Sequence, residues 1–202
     1  MEKGRCHQKQ FFDDHAEKWD RISVHDLEKV DYIISLLDLM GTEKIMDIGT
    51  GTGILIPFYE KHLTSGSVLA VDFSEKMIAC CKEKYPAIEH PRVEFVVTDI
   101  YDMTYEGEFD VVVCYSCFPH FEDHRKAVDI FARSLKKEGT FMISHSSSRE
   151  HINHVHRHGG SEVCDDVLPS IEQLSALMES SGMTVIFNRS DGDYHIIIAK
   201  KN

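Results

Sequence analysis

One segment limits the possible folds more than any other. A strand-like run over residues 44–48 contains Asp47 near its end and is followed by Gly49, Gly51 and Gly53 at alternate positions. Without side chains, these glycines allow the backbone to turn sharply and to approach a bound molecule closely. The amino terminus of a following helix would add amide donors for a carboxylate or another anion. The segment therefore predicts a strand, a tight loop and a helix around a ligand.

Strand-like and helix-like apolar patterns alternate along almost the whole chain, which is typical of a parallel sheet with crossover helices. A capping box at Ser23 and Asp26 predicts a first helix that continues to Met40 and is ended by Gly41. Helices are also predicted between the later strands, including residues 123–135 and 169–181. The predicted strands are residues 44–48, 68–71, 93–97, 110–114, 140–144, 183–188 and 194–199.

The link between the last two predicted strands indicates their relative direction. Residues 190–193 contain the turn residues Asp191 and Gly192 and are too short for a parallel crossover, which needs a dozen residues or more. We therefore expect an α/β fold in which a seven-stranded, mostly parallel sheet ends in an antiparallel strand and carries helices on both faces. The length of 202 residues favours one domain over residues 1–202.

Charge and composition exclude several classes of partner. The chain has 22 basic against 34 acidic residues, and the basic residues form no patch, which argues against a nucleic-acid partner. No apolar run is long enough to span a membrane. The first ten residues do not resemble a signal peptide, so we expect a soluble, cytoplasmic protein. The sequence makes no prediction about the oligomeric state.

The segment from Met46 to Gly53, MDIGTGTG, resembles the glycine loop of the class I methyltransferases that depend on S-adenosylmethionine (SAM), and the likeness extends over nearly the whole chain. It implies a Rossmann-like fold and an enzyme of the small-molecule type that moves the methyl group of SAM to an acceptor. In that family the loop holds the methionine part of SAM, which implies cofactor contacts at Asp47, Gly49, Thr50, Gly51 and Gly53.

A nicotinamide-dependent oxidoreductase is a less favoured alternative. Its dinucleotide-binding loop has the spacing G-x-G-x-x-G, and counted from Gly49 the third glycine would fall at Ile54. A carboxylate at Asp47 also suits the sulfonium and ammonium groups of SAM better than a pyrophosphate.

The ends of the next strands supply further cofactor candidates. Asp72 lies about 20 residues beyond the glycines, where an acid can accept hydrogen bonds from both ribose hydroxyls. Phe73 beside it is a candidate for the adenine pocket. The resemblance implies that Asp99 binds the adenine amino group, that the backbone of Ile100 meets the ring, and that Cys114 lies beneath the sulfonium.

Two histidines follow strand ends on the expected acceptor side. His145 comes directly after the fifth strand and is our first candidate for a base or an acceptor contact, and His120 is the second. Methyl transfer mainly requires an oriented nucleophile, and a base only where the acceptor must lose a proton.

Five of the thirteen histidines lie between residues 145 and 158, within a histidine-rich segment over residues 145–168. If the segment is helical, His151, His154 and His158 share one face and predict a site for a divalent transition metal. The alternative function is then a metal-binding or metal-sensing protein on a methyltransferase scaffold. Alternatively, His151 and His154 contact the acceptor, or the side chains are simply solvated.

The amino-terminal segment of residues 1–22 resembles the aromatic and acidic arm that covers the active site of small-molecule methyltransferases. Phe12, His15 and Trp19 have helical spacing and are candidate acceptor contacts in such a lid. Because the sequence indicates no second domain, we expect a small-molecule acceptor. An arsenic(III) methyltransferase that uses three thiols as soft ligands remains a further alternative; these would be Cys114, Cys117 and Cys164.

Overall fold

The structure is a computed structural model that describes residues 2–160 and 162–202, with side chains from residue 7 onward. The predicted arm of residues 1–22 includes Met1, and the predicted histidine-rich segment of residues 145–168 includes Ser161. Both of these residues lie outside the described part of the chain.

Seven strands form one sheet in the order β3-β2-β1-β4-β5-β7-β6. The strands are β1 Lys44–Ile48, β2 Ser67–Asp72, β3 Val93–Val97, β4 Phe109–Tyr115, β5 Leu135–His145, β6 Met183–Ser190 and β7 His195–Lys201. Strands β1 to β5 pair in parallel, whereas β7 is antiparallel to both β5 and β6. The predicted mostly parallel sheet with an antiparallel last strand is confirmed.

Helices cover both faces of the sheet. They are α1 Glu2–His15, α2 Trp19–Ile22, α3 Leu27–Ser35, α4 Ile56–His62, α5 Glu75–Lys84, α6 His124–Ser134, α7 Arg149–Arg157 and α8 Ile171–Ser180. In the described residues none of the helices is long and apolar enough to cross a bilayer.

The sheet side chains divide into two cores because successive residues of a strand point to opposite faces. On one face Phe141 and Ile143 of β5 pack with residues of α6 and α8. On the other face Met142 of β5 packs with residues of α3, α4 and α5. The two fully buried faces explain why the strands read as continuous apolar runs in the sequence.

The first predicted helix differs from the structure at both ends. Helix α3 begins after Asp26, whose carboxylate accepts hydrogen bonds from the backbone of Glu28 and Lys29, so Asp26 and not Ser23 is the cap. The helix ends at Ser35 instead of Met40, because Asp38 adopts a left-handed conformation with φ of 48°.

Phe131 provides a test of the core beside β5. It is fully buried, and its ring lies 5.4 Å from that of Phe141 and 5.7 Å from that of Phe121. Replacing Phe131 by alanine should lower the free energy of unfolding by about 3–5 kcal/mol, because the change removes buried apolar surface and leaves a cavity. Urea denaturation measures this, with Ile88→Ala as the control. Ile88 is 89% exposed, and its replacement should cost less than about 0.5 kcal/mol. Equal losses of unfolding free energy in the two variants would show that Phe131 is not packed in the core.

Candidate functional site

A cavity of about 300 Å³ opens at the carboxyl ends of β1, β2, β3 and β4. Its wall is formed by the glycine loop after β1, by residues at the ends of the other three strands, and by side chains of α1, α2 and the segment before α3. The carboxyl edge of a parallel sheet is where ligands bind in doubly wound folds.

The glycine loop brings bare backbone to the cavity. Gly49 has a φ of 62°, and a Cβ added there would lie 2.7 Å from the Cβ of Cys117, so no other residue fits without a shift. Gly51 and the intervening Thr50 also line the cavity. Gly53 does not, which corrects its assignment as a ligand contact. A Cβ at Gly53 would meet the ring of Tyr85 at 2.7 Å, so this glycine is required for packing.

The Asp72 carboxylate lies in the cavity wall at the end of β2 and is only 7% exposed. Its two oxygens accept hydrogen bonds of 2.9 Å from the backbone N–H groups of Gly51 and Ser74. Burial raises the pKa of Asp72 to about 6, although these hydrogen bonds oppose the shift. Ser74 in turn caps α5 through its own hydroxyl.

The Asp47 carboxylate lies behind the loop rather than in the cavity wall. One oxygen accepts a hydrogen bond of 3.3 Å from the Tyr59 hydroxyl, and the other has no partner among the described residues. Burial raises the pKa of Asp47 to about 7, and the neighbouring Asp72 carboxylate acts in the same direction. Asp47 therefore does not line the cavity, which corrects the predicted contact. Its charge acts on the cavity only through its electric field.

The adenine-side candidates lie together at the cavity. Phe73, Asp99 and Ile100 all line its wall. The Asp99 carboxylate accepts a hydrogen bond of 2.9 Å from the backbone of Tyr101 and so begins a turn of 3-10 helix at the end of β3. Tyr101 itself also lines the cavity.

The end of β4 differs from the prediction by one residue. Tyr115, Ser116 and Cys117 line the cavity, whereas Cys114 is fully buried in the core on the α6 side. The alternation of side chains along a strand explains the correction, because adjacent residues face opposite sides. The Cys114 sulfur lies 3.1 Å from that of Cys117, but Cys164 is not part of the cavity wall, so three converging thiols are not formed.

The two histidines proposed as bases have different positions. His120 lines the cavity, and its Nδ1 lies 2.6 Å from a carboxylate oxygen of Asp166. His145 is 1% exposed and absent from the cavity wall, because its side chain points into the packed interior. Burial lowers the pKa of His145 well below the usual value, so the ring is neutral there. His145, our first candidate, is therefore not placed to contact a ligand in the cavity, whereas His120 lies in its wall.

The histidine-rich segment forms α7 outside the cavity. His151 and His154 are exposed and make no part of the cavity wall, so the predicted acceptor contacts are not formed. The rings of His154 and His158 lie 4.2 Å apart, and Nδ1 of His158 donates to the backbone oxygen of His154. Nowhere among the described residues do three metal-ligating side chains converge, so the predicted metal site at His151, His154 and His158 is not formed.

The amino-terminal arm covers the cavity with two of its three predicted aromatic residues. Phe12 and Trp19 line the wall, with their rings 5.4 Å apart, and Phe12 also contacts Phe73. His15 faces away from the cavity, because its Nδ1 donates to the backbone oxygen of Phe11 on its own helix. The prediction for His15 is therefore corrected.

Polar cavity residues that the sequence did not reveal include Ser23, His25 and Tyr115. His25 lies between α2 and α3, where the sequence indicates only the start of a helix. Tyr115 is the last residue of an apolar strand, where an aromatic residue indicates packing as readily as ligand contact. Nothing in the local sequence distinguishes these residues from structural ones.

Comparisons with known proteins find a similar domain in this chain. A family model described as a methyltransferase domain matches residues 46–143, from the end of β1 through most of β5. In these residues the chain is similar to methyltransferase domains.

Among its relatives, malonyl-[acyl-carrier protein] O-methyltransferase of Priestia megaterium is 26% identical over 142 residues, which is 67% of this chain and 50% of that protein. The chain spans about half the length of several curated relatives that it matches.

Solved methyltransferase structures share the fold of this chain. A SAM-dependent methyltransferase from Aquifex aeolicus superposes with a TM-score of 0.73 at 20% identity, covering 94% of this chain and 98% of that one. Magnesium protoporphyrin IX methyltransferase from Synechocystis PCC 6803, solved with bound S-adenosylhomocysteine, also has a TM-score of 0.73. It is 16% identical and covers 96% of this chain and 100% of that one.

The residues of this site fit a cationic, adenosine-containing ligand. The unpartnered oxygen of Asp47 and the carboxylate of Asp72 provide two buried acids near one end of the cavity. Gly49 and Gly51 present backbone without side chains to the cavity, and a Cβ at Gly49 would collide with Cys117. Buried carboxylates are stabilised by a neighbouring positive charge, which SAM carries.

Replacing Asp47 by asparagine tests the burial of its charge. Since the folded-state pKa is about 7 and the unfolded-state value is 3.8, the native protein should lose stability as the pH rises from about 4 to 7. The asparagine side chain keeps an oxygen for Tyr59 but carries no charge. At roughly 1.4 kcal/mol per pKa unit, the variant should gain less than about 1 kcal/mol at pH 4 and about 4 kcal/mol at pH 8.

Urea unfolding of the ligand-free protein at the two pH values gives the difference. The control is Asp31→Asn, which removes an exposed carboxylate paired with Lys61. If Asp47→Asn gains the same free energy of unfolding at both pH values, ionisation of the Asp47 carboxylate does not destabilise the folded state.

Proposed function

We propose that this chain transfers the methyl group of SAM to a small-molecule acceptor. The observation that carries the proposal is the convergence of Asp72 and Asp99, from the ends of two neighbouring strands, on the cavity lined by the glycine loop. SAM supplies a methyl group bonded to a positively charged sulfur, and the chain has to hold that group, exclude water and orient the acceptor.

The cofactor end of the cavity divides into three parts in this proposal. The Asp72 carboxylate binds the ribose hydroxyls, since its position in the wall leaves acceptor lone pairs beside the cavity. Asp99 and the backbone of Ile100 bind the adenine ring. The backbone of Gly49 and Gly51 holds the methionine part.

Burial of the reacting groups depends on the amino-terminal arm. Phe12 packs against Phe73 and Trp19. Phe12 and Ala16 also pack together with Met77 of α5. Asp13 on the same helix accepts a hydrogen bond of 2.6 Å from the Ser74 hydroxyl, which ties the arm to the end of β2. We infer that residues 1–202 act as one domain, in which residues 1–22 cover the cofactor. A cytoplasmic location stays a prediction.

The acceptor lies at the other end of the cavity, between the segment before α3 and the end of β4. This location replaces the histidine-rich helix α7, whose exposed histidines do not reach the cavity wall. A volume of about 300 Å³ suits small ligands rather than folded proteins. The relatives whose names specify small acceptors are consistent with this size, among them a demethylmenaquinone methyltransferase.

Titration calorimetry tests the cofactor. The native protein should bind SAM and S-adenosylhomocysteine and should not bind a nicotinamide dinucleotide. Asp72→Asn should weaken SAM binding by about 10- to 100-fold, because hydrogen bonds to a charged group contribute roughly 1.5–3 kcal/mol each. Asp31→Asn, which removes an exposed carboxylate outside the cavity, should leave the affinity unchanged.

Asp99→Ala serves as a second variant, and a thermal melt verifies that each variant is folded. Binding of the nicotinamide dinucleotide without SAM binding would overturn the proposal. Unchanged SAM affinity in both folded variants would overturn the assignment of Asp72 and Asp99.

A further inference from the structure

Four side chains form a continuous hydrogen-bonded chain beside the cavity. The Tyr115 hydroxyl lies 2.8 Å from Nδ1 of His25 and 2.7 Å from the hydroxyl of Ser146. Nε2 of His25 lies 3.1 Å from the hydroxyl of Ser23. We call these four residues the acceptor relay.

Three members of the acceptor relay line the cavity, and they come from distant parts of the chain. Ser23 and His25 lie between α2 and α3, and Tyr115 ends β4. Ser146 follows β5 and supports Tyr115 from behind. The relay is therefore a built part of the cavity wall at the end away from the adenine-side residues Asp99 and Ile100, which follow β3.

The protonation states of Tyr115 and His25 limit the hydrogen-bond directions in the relay. Burial raises the pKa of Tyr115 to about 12, so its phenol is un-ionised at neutral pH. Burial also lowers the pKa of His25, so the ring is neutral. In the neutral tautomer that carries its proton on Nε2, His25 accepts from the Tyr115 O–H at Nδ1 and donates to the Ser23 hydroxyl. With the Ser146 O–H donating to Tyr115, the phenol oxygen keeps one lone pair for another donor.

One carboxylate near His25 opposes the larger effect of burial on the protonation of its ring. The Asp20 carboxylate on α2 raises the pKa of His25, opposing the effect of burial. Ser23 and Tyr115 present hydroxyls, and Asp26, the cap of α3, is the carboxylate that acts on Tyr115. His145 at the end of β5 is a further titratable ring whose charge would interact with His25, and burial keeps it neutral.

Apolar side chains form the rim of the same end of the cavity. Val24 is 80% exposed and Leu27 57% exposed, and both line the cavity on either side of the relay histidine. Ile22 next to them is 54% exposed. An exposed apolar rim around a few polar groups is typical of a site for an apolar ligand with one polar function.

We propose that the acceptor relay binds the methyl acceptor, that this acceptor is an apolar molecule with a weakly acidic hydroxyl, and that its proton passes through Tyr115 to His25. The inference rests on the proposed function. A carboxylate acceptor has no proton to lose and would not require a chain of this kind, whereas a phenol or an enol does.

The transfer conserves atoms and charge. The acceptor oxygen forms its bond to the methyl carbon while the carbon–sulfur bond breaks and its electron pair stays on sulfur. The acceptor proton goes to the oxygen of Tyr115, which releases its own proton to Nδ1 of His25. The products are a methyl ether, a neutral thioether and an imidazolium, so one positive charge passes from sulfur to His25. The imidazolium then loses its proton to water.

The first experiment measures recognition without turnover. The complex of the native protein with S-adenosylhomocysteine is titrated by calorimetry with 4-ethylphenol, ethylbenzene and 4-ethylbenzoate, which differ only in the polar group. The phenol should bind at least about 10-fold more tightly than the other two, which corresponds to one hydrogen bond of roughly 1.4 kcal/mol. Tyr115→Phe should abolish this preference while the affinity for S-adenosylhomocysteine stays within about twofold.

The second experiment separates binding from proton transfer. In His25→Asn, an amide oxygen replaces Nδ1 and can still accept from Tyr115, but it does not take up a proton. Transfer of labelled methyl from SAM to 4-ethylphenol should fall by about 100-fold or more, with phenol binding retained. The matched controls are His90→Asn and Tyr32→Phe, which change a histidine and a tyrosine outside the cavity and should leave transfer unchanged.

Each outcome decides the proposal. Equal binding of the three probes, no methyl transfer to 4-ethylphenol, or full transfer in His25→Asn would overturn it. Preferential binding of 4-ethylbenzoate would also overturn it and would indicate a carboxylate acceptor instead. Failure of the native protein to bind S-adenosylhomocysteine at all would contradict the proposed function itself, which keeps the two failures distinguishable.

Discussion

The pair of hydrogen bonds on the Asp72 carboxylate holds the cofactor end of the site together. Through Gly51 it fixes the glycine loop after β1, and through Ser74 it fixes the start of α5. Because Ser74 also donates to Asp13, the same group connects the covering helix α1 to the sheet. A single buried carboxylate thus positions the glycine loop, the end of β2 and helix α1. These contacts explain why the charge of Asp72 is retained despite the cost of burial.

The cofactor end could be predicted because its signals are local in the sequence. An acid followed by alternate glycines, and acids at the ends of the next strands, each depend on a few adjacent residues and on the rule that parallel strands end at one edge. The incorrect assignments concern residues close to those that these rules identify. Gly53 and Cys114 lie within one to four residues of true cavity residues, but a sequence pattern does not tell the cavity wall from the layer behind it.

The acceptor end could not be predicted because it is assembled by tertiary contacts. The histidines of α7 have a clear helical pattern, yet the helix lies where its exposed face points to solvent. His25 and Tyr115 are 90 residues apart, and their hydrogen bond exists only because the segment before α3 lies over the end of β4. Of the α7 histidines, His156 turns inward, and its ring lies 5.0 Å from that of His120. Unusual composition is therefore a weaker guide to chemistry than the place where strands end.

The two ends of the cavity differ in their electrostatics, and this difference suits the proposed reaction. Asp47 and Asp72 are buried acids whose raised pKa values record an unfavourable environment for negative charge without a partner. A sulfonium relieves that cost, whereas the neutral thioether that remains after methyl transfer does not. At the other end the neutral His25 takes up the proton, and Asp20 provides the nearby negative charge. The proposed proton uptake at His25 thus places positive charge at the end of the cavity away from the two buried acids.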